Sequence, residues 1–168
     1  LTPDTNYVVY CYHVDLSNAS ASTGEVIRQM IRTASPNMVN DALEMSLDIN
    51  GATITQNITT KEADTYFYTA HMSVNDFKIY FGGDAQPETT FVDRWNQQTS
   101  MWLNMGYYPS QIIDEWCLQG SQSIVCNDLG AETEYYFYAF AIDPETAFVA
   151  SPIILEKVTT EAIQQSSM

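Results

Sequence analysis

The chain has 168 residues, and its 6 basic and 21 acidic residues give it a formal net charge of −15. Such a charge repels polyphosphates, so the composition excludes nucleic acid as an expected partner and disfavours an anionic lipid surface. No stretch approaches the ~18 apolar residues of a membrane-spanning helix, so contact with a membrane is expected only through an anchor that is absent from this sequence.

The first predicted elements are two strands. Residues 1–15, "LTPDTNYVVYCYHVD", are rich in aromatic and β-branched residues after a turn, which favours a long strand, and Cys11 is expected to lie in a core. Residues 26–34, "VIRQMIRTA", also fit a turn of amphipathic helix, but their equivalence to a later Thr- and Val-containing segment favours a second strand. "TASPN" at 33–37 is a polar, proline-containing joint to the next region.

The N-terminal segment recurs near the C-terminus. Residues 129–143, "LGAETEYYFYAFAID", match residues 1–15 with an offset of 128, and after a slip of one residue the segment 153–161 matches 26–34. The identical positions of the first match are Leu1 and Leu129, Thr5 and Thr133, Tyr7 and Tyr135, Tyr10 and Tyr138, and Asp15 and Asp143. Both copies are therefore expected to form a turn, a long strand, a loop and a second strand.

Both copies contain the spacing Leu-x-x-x-Thr-x-Tyr. In this pattern the leucine closes the end of a core, and the tyrosine begins a strand while its hydroxyl bonds to the backbone upstream, which is a tyrosine corner. Tyr7 and Tyr135 are therefore interpreted as structural residues. The second copy has Ala131 where the first has Pro3, so its turn is less rigid.

The region between the two copies is predicted to begin with strands and then to change period. Strands are expected at 42–49, 50–58, 64–72 and 122–127, with a further short strand at 75–83. Residues 87–106 and 109–120 have apolar residues at helical spacing and end in glycine, which predicts a two-helix hairpin inserted at about 88–120. All three tryptophans, Trp95, Trp102 and Trp116, fall inside this insertion.

The strand at 135–142 is predicted to be apolar on both faces. The register set by Tyr135 directs Phe137, Ala139 and Ala141 into the core. The opposite face carries Tyr136, Tyr138, Phe140 and Ile142. Because a fully exposed aromatic stripe would be a liability, the tryptophan-bearing helices are expected to cover it. Residues 8, 10, 12 and 14 repeat this stripe in the N-terminal copy.

These corners and strands resemble those of fibronectin type III modules, and with the inserted helices the chain is similar to fibronectin III-like domains of Bacteroidetes cell-surface lipoproteins. The expected fold is mainly β, an immunoglobulin/fibronectin III-like sandwich whose two-helix insertion covers one sheet face. The resemblance implies that residues 1–35 are the last two strands of a preceding, incomplete module, that 36–163 form a complete module and that 164–168 are a tail. It also implies an extracytoplasmic location, on the outer-membrane surface or secreted. Since two strands alone are marginally stable, self-association through the N-terminal hairpin is a further expectation.

The sequence predicts no catalytic residue, metal site or cofactor. The two histidines, His13 and His71, lack a cysteine or a second histidine at ligand spacing, and 21 acidic residues form too many pairs to identify a glycosidase pair. Cys117 and Cys126 are close enough in sequence to form a disulfide if the intervening turn is tight, and otherwise are expected to be buried free thiols.

The best candidates for partner binding are Tyr107 and Tyr108, at the turn between the two predicted helices. Exposed tyrosines stack on sugars or anchor a protein partner, whereas buried ones would fasten the hairpin to the sheet. The favoured function is a non-enzymatic structural or protein-interaction module of a multidomain bacterial surface protein. The alternatives are a carbohydrate-binding module that uses exposed aromatic residues and a carboxylate-dependent glycoside hydrolase.

Overall fold

A computed structural model describes residues 5–14, 17, 24–33 and 37–162. The chain divides into two compact units, Leu1–Pro36 and Asn37–Met168. In chain order the elements are β1 (Asn6–Cys11), β2 (Ile27–Arg32), β3 (Leu43–Asn50), β4 (Thr53–Thr60), β5 (Tyr66–Ser73), α1 (Val74–Phe81), α2 (Pro87–Asn104), α3 (Pro109–Trp116), β6 (Leu118–Gln119), β7 (Gln122–Cys126), β8 (Glu134–Ile142) and β9 (Ile154–Thr159).

The smaller unit contains an antiparallel hairpin of β1 and β2, in which Asn6 pairs with Arg32 and Cys11 pairs with Ile27. The segment that also fitted a helical turn is therefore a strand, as favoured. The expectation that Cys11 lies in a core is wrong, because its side chain is exposed. A single hairpin has no second layer with which to bury either of its faces, so the apolar pattern of a strand does not by itself bury a residue.

The larger unit is a β-sandwich, as predicted. One sheet has the strand order β3-β4-β7 and the other has the order β6-β5-β8-β9, with antiparallel pairing throughout. Between the sheets lies a cluster of buried residues contributed by both, namely Ala42, Leu43, Ile58, Phe67, Ala139 and Ala141. The inward-facing alanines of β8 are those that the register of Tyr135 predicted.

Helices of the insertion cover the outer face of the four-stranded sheet. The larger of two buried clusters among the described residues joins β8 to all three helices through Phe77, Phe91, Trp95, Ile112, Ile113, Tyr138, Phe140 and Ile142, among others. Phe91 of α2 stacks on Tyr138 with ring centroids 4.0 Å apart and planes 10° from parallel. Each large ring buried in this way removes roughly 150–250 Å² from water. The predicted cover of the aromatic stripe is confirmed.

Residues 75–83 do not form the short strand that was expected. Most of this segment belongs to helix α1, which begins after Ser73, whose hydroxyl oxygen accepts a hydrogen bond from the Asp76 N–H at 3.0 Å. Phe77 and Phe81, one turn apart, contact each other at 5.1 Å, and Phe77 is buried. Residues four apart share a face in a strand as well, but there they lie roughly 13 Å apart, so the contact between these two rings requires a helix. The insertion therefore has three helices instead of two. Among the described residues, no helix has the length and hydropathy needed to cross a bilayer.

Candidate functional site

The turn between α2 and α3 presents Tyr107 and Tyr108 to solvent, with 48% and 70% of their surface exposed. Gly106 follows α2 with φ of +97°, a conformation that side-chain-bearing residues rarely adopt, and its N–H donates to the Leu103 carbonyl at 3.1 Å. Tyr108 is the N-cap residue of α3, and its N–H donates to Oε1 of Gln111 at 2.8 Å. The turn therefore holds both tyrosines outside the sandwich core on a hydrogen-bonded backbone.

An open cavity of about 430 Å³ lies between α3 and the C-terminal end of α2. It is lined by Trp102, Tyr107, Gln111, Ile112, Glu115 and Trp116, and we call it the aromatic cleft. Its volume falls in the range of roughly 300–1,000 Å³ that is typical of small-ligand sites. The cleft includes Tyr107, whereas Tyr108 is not one of its lining residues.

A series of ring contacts connects the aromatic cleft to the sandwich. Trp116 stacks on Trp102 with centroids 5.5 Å apart and planes 15° from parallel, and Trp102 meets Trp95 edge to face at 6.1 Å. Trp95 packs on Tyr68 of β5 at 4.5 Å, and its indole N–H donates to the buried Ala147 carbonyl at 2.9 Å. The outermost ring is therefore supported by a chain of rings that ends in the sheet, and a ligand would meet a surface that is already ordered.

The helices that carry the three tryptophans cover the sheet, but the tryptophans themselves do not share one role. Trp95 is buried and Trp102 is half-buried, but 49% of Trp116 is exposed. Ile112 and Ile113 make the buried contact of α3, and Trp116, at the last position of this short helix, stacks on Trp102 instead. Sequence analysis therefore missed Trp102 and Trp116 as site residues.

Two polar side chains complete the aromatic cleft. Gln111 and Glu115 are one helical turn apart on α3 and so project from the same face of the helix. Oε1 of Gln111 accepts from the Tyr108 N–H, and its amide NH₂ group is a hydrogen-bond donor. The Glu115 carboxylate supplies acceptor oxygens. The cleft thus combines flat aromatic surface with one donor and one acceptor.

Tyr135 makes the hydrogen bond that defines a tyrosine corner. The Gly130 N–H donates to the Tyr135 hydroxyl oxygen at 2.8 Å, which ties the loop before β8 to the start of that strand. The residues that would supply the equivalent partner for Tyr7 lie outside the described residues, so a corner at Tyr7 stays a prediction. No catalytic or binding role is needed to explain Tyr135.

The described cysteines are free thiols, so Cys117 and Cys126 do not form the disulfide that the sequence left open. Burial raises the pKa of Cys117 to about 12, which keeps this thiol protonated and unreactive near neutral pH. Cys126 lies closer to a histidine than its sequence position suggested, with Sγ 3.7 Å from Nδ1 of His71, because the sandwich brings β7 near β5. Within the described residues, no group of three or more metal-ligating side chains is assembled.

Acidic residues gather at a second cavity, of about 360 Å³, which we call the loop-end cavity. The β4–β5 loop contributes Glu62 and Asp64, and the β8–β9 loop contributes Asp143 and Glu145. The Asp143 carboxylate accepts hydrogen bonds from the Glu145 N–H at 2.9 Å and the Thr146 hydroxyl at 3.0 Å, so it maintains the turn of its own loop. The loop-end cavity is where the carboxylate-dependent hydrolase alternative can be tested.

Comparisons with known proteins give limited similarity. No family model matches the chain, and no curated protein matches it. Among solved structures the chain is similar to the rat CD45 extracellular region, domains d3-d4, with 13% sequence identity and a TM-score of 0.35. The similarity covers 95% of this chain and 66% of that structure.

Proposed function

We propose that the chain is a non-enzymatic interaction module of a multidomain, extracytoplasmic bacterial surface protein, and that its partner binds to the helical insertion. The observation that carries the proposal is the exposure of large apolar side chains at one end of the insertion, where Met105, Tyr107, Tyr108 and Trp116 are all exposed. Exposed aromatic residues that cluster on a rigid scaffold are characteristic of binding surfaces. The resemblance to fibronectin III-like surface domains supports the location.

The insertion contains residues that pack on the sheet and, separately, residues that are exposed at its turn. Phe77, Phe91 and Trp95 are buried against the sheet and make the insertion part of the folded module. Tyr108, in the turn between α2 and α3, is mostly exposed and so adds little to this packing against the sheet. A segment that is anchored at its base and exposes aromatic side chains at its turn is suited to contact a partner without loss of stability.

The repeated hairpin supports a multidomain arrangement. Tyr7 lies opposite Ile31 in the smaller unit, and the matching Tyr135 lies opposite Val158 in the larger unit. Two hairpins with the same sequence pattern and register are expected when a chain contains successive modules of one type. On this proposal, β1 and β2 are the last two strands of another such module.

The test is a binding panel with the purified chain. Immobilised amylopectin, xylan, mannan, polygalacturonate, mucin and fibronectin are screened by biolayer interferometry with the wild type and with a Tyr107→Ser/Tyr108→Ser double variant. We expect binding to at least one member, with about tenfold or greater loss in the double variant. The control is Tyr80→Ala, since Tyr80 is an exposed aromatic residue on α1, outside the cleft lining, with 73% of its surface accessible.

Two outcomes would contradict the proposal. Binding that is equal in the wild type and the double variant would place the partner site elsewhere. Release of reducing sugar from a polysaccharide, abolished by a Glu62→Gln/Asp64→Asn double substitution in the loop-end cavity, would show that the chain is an enzyme.

A further inference from the structure

Trp116 contributes a flat and partly exposed apolar surface to the lining of the aromatic cleft. One face of its indole stacks on Trp102, so the other is turned away from that partner, and about half of the side chain is exposed. A pyranose ring has one face formed largely by C–H groups, which gains free energy when a planar apolar surface removes it from water. Because Trp102 and Trp95 support Trp116, stacking would require little ordering of the protein.

The polar residues of the aromatic cleft are suited to hydrogen-bond with the hydroxyl groups at the edge of a pyranose ring. Gln111 offers amide donors and Glu115 offers carboxylate oxygens, both beside Trp116 in the lining. Sugar hydroxyls act as donors and acceptors together, so both side chains can bond to one ring. Hydrogen bonds to an ionised carboxylate are stronger than those between neutral groups, which makes Glu115 the expected determinant of orientation.

The charge of the aromatic cleft selects among sugars. Its lining contains Glu115 and no basic residue, and the whole chain has a net charge of −15. An anionic sugar such as a uronate would find no cationic partner in the cleft and would be repelled by the carboxylate. A neutral sugar needs no cationic partner and is not repelled by the carboxylate.

We propose that the aromatic cleft binds a neutral glycan, with the C–H face of one pyranose ring stacked on Trp116 and its hydroxyls bonded to Gln111 and Glu115. This inference rests on the proposed function, because it names the ligand class of the same surface. Met105 and Tyr108 are exposed on the same turn but do not line the aromatic cleft, so a protein partner would be expected to use them instead.

Affinity electrophoresis and isothermal titration calorimetry test the inference on the full chain. The probes are amylopectin, mannan, xylan and barley β-glucan, which are neutral, and polygalacturonate, which is anionic. We expect at least one neutral glycan to bind, and polygalacturonate to bind at least tenfold more weakly. Trp116→Ala should weaken binding of the neutral glycan by about tenfold or more, and Glu115→Gln by roughly three- to tenfold. Tyr80→Ala should leave the affinity within about twofold.

A conservative variant separates a lost contact from lost structure. Trp116→Phe keeps a planar ring and should retain more affinity than Trp116→Ala, while near-ultraviolet circular dichroism checks that each variant keeps the native packing of its aromatic residues. Unchanged glycan affinity in both Trp116→Ala and Glu115→Gln would overturn the inference, and so would stronger binding of polygalacturonate or no binding across the neutral panel. Binding of fibronectin alone in the panel that tests the proposed function, lost in Tyr108→Ala but not in Trp116→Ala, would overturn the inference and leave the proposed function intact.

Discussion

The β1–β2 hairpin and the β8–β9 hairpin have the same backbone arrangement in different surroundings. Equivalent residues pair in both, and each hairpin is closed by two threonines: the Thr33 N–H donates to the Thr5 carbonyl at 3.0 Å, and the Thr160 N–H donates to the Thr133 carbonyl at 3.0 Å. The hydroxyl of the later threonine also accepts from the N–H of the earlier one, at 3.0 Å and 2.9 Å respectively. We call this arrangement the threonine clasp.

Burial is where the two hairpins differ. Tyr10 is 60% exposed, whereas the identical residue at the matching position, Tyr138, is 7% exposed. Strand β8 pairs with β9 along one edge and with β5 along the other. Helix α2 covers one of its faces, and the second sheet covers the opposite face. Local sequence therefore determines the register and the threonine clasp, while burial depends on layers that come from distant parts of the chain. The uncovered aromatic stripe of β1 supports the proposal that this hairpin belongs to another module.

The comparison can be tested first by truncating the two matched tyrosines. Tyr138→Ala should lower the free energy of unfolding of the larger unit by about 3 kcal/mol or more, because it removes a buried ring that stacks on Phe91. Tyr10→Ala should change the free energy of opening of the β1–β2 hairpin by less than about 0.5 kcal/mol, as measured by hydrogen–deuterium exchange of a peptide containing Tyr10. Urea unfolding followed by tryptophan fluorescence measures the effect of Tyr138→Ala, since all three tryptophans lie in the larger unit. A comparable loss in Tyr10→Ala would show that the exposed stripe is covered in solution and would remove the contrast.

Most of the sandwich could be predicted from local patterns. The alternation along β8 identified its inward alanines and outward aromatics, and the repeat correctly favoured a strand at 27–32. Helix α1 could not be recognised in the same way, because its segment is short and contains aromatic residues that are common in strands. What distinguishes it is the Ser73 cap and the contact of Phe77 with Tyr136 of β8 at 5.4 Å, and only the second of these depends on tertiary structure.

The aromatic cleft was only partly predictable. Tyr107 was identified from its place in a turn, where burial is not required. Trp116 belongs to a helix that was expected to cover the sheet, and periodicity does not reveal that this helix buries Ile112 and Ile113 while Trp116 stays half exposed. The pairing of Trp116 with Trp102 joins two helices, so no local pattern of either helix contains it.

The threonine clasp offers a second test of the comparison. Thr160→Val should destabilise the larger unit by roughly 1–3 kcal/mol, because the Thr160 side chain is buried and the Thr133 N–H and Gly130 carbonyl both lose a partner. Thr33→Val should lower the stability of the smaller unit by less, because Thr33 is only partly buried and water can replace the lost hydrogen bonds. Hydrogen–deuterium exchange of peptides containing Thr133 and Thr5 reports the two effects, and Thr160→Ser, which keeps the hydroxyl, is the control. Equal acceleration of exchange in both hairpins would contradict the expected difference.

Alkaline pH should reveal the burial of Tyr138 by a smaller effect. Burial raises the pKa of Tyr138, so the folded protein keeps this proton at a pH at which the unfolded chain, with a tyrosine pKa of about 10, has released it. The stabilising contribution is therefore fully present below about pH 10 and declines above it, by about 1.4 kcal/mol per pH unit, until the folded pKa is reached. Tyr138→Phe should reduce the slope of unfolding free energy against pH between pH 10 and 12 by about this amount. A slope that is unchanged in Tyr138→Phe would mean that the β8 stripe is solvated despite the helices above it.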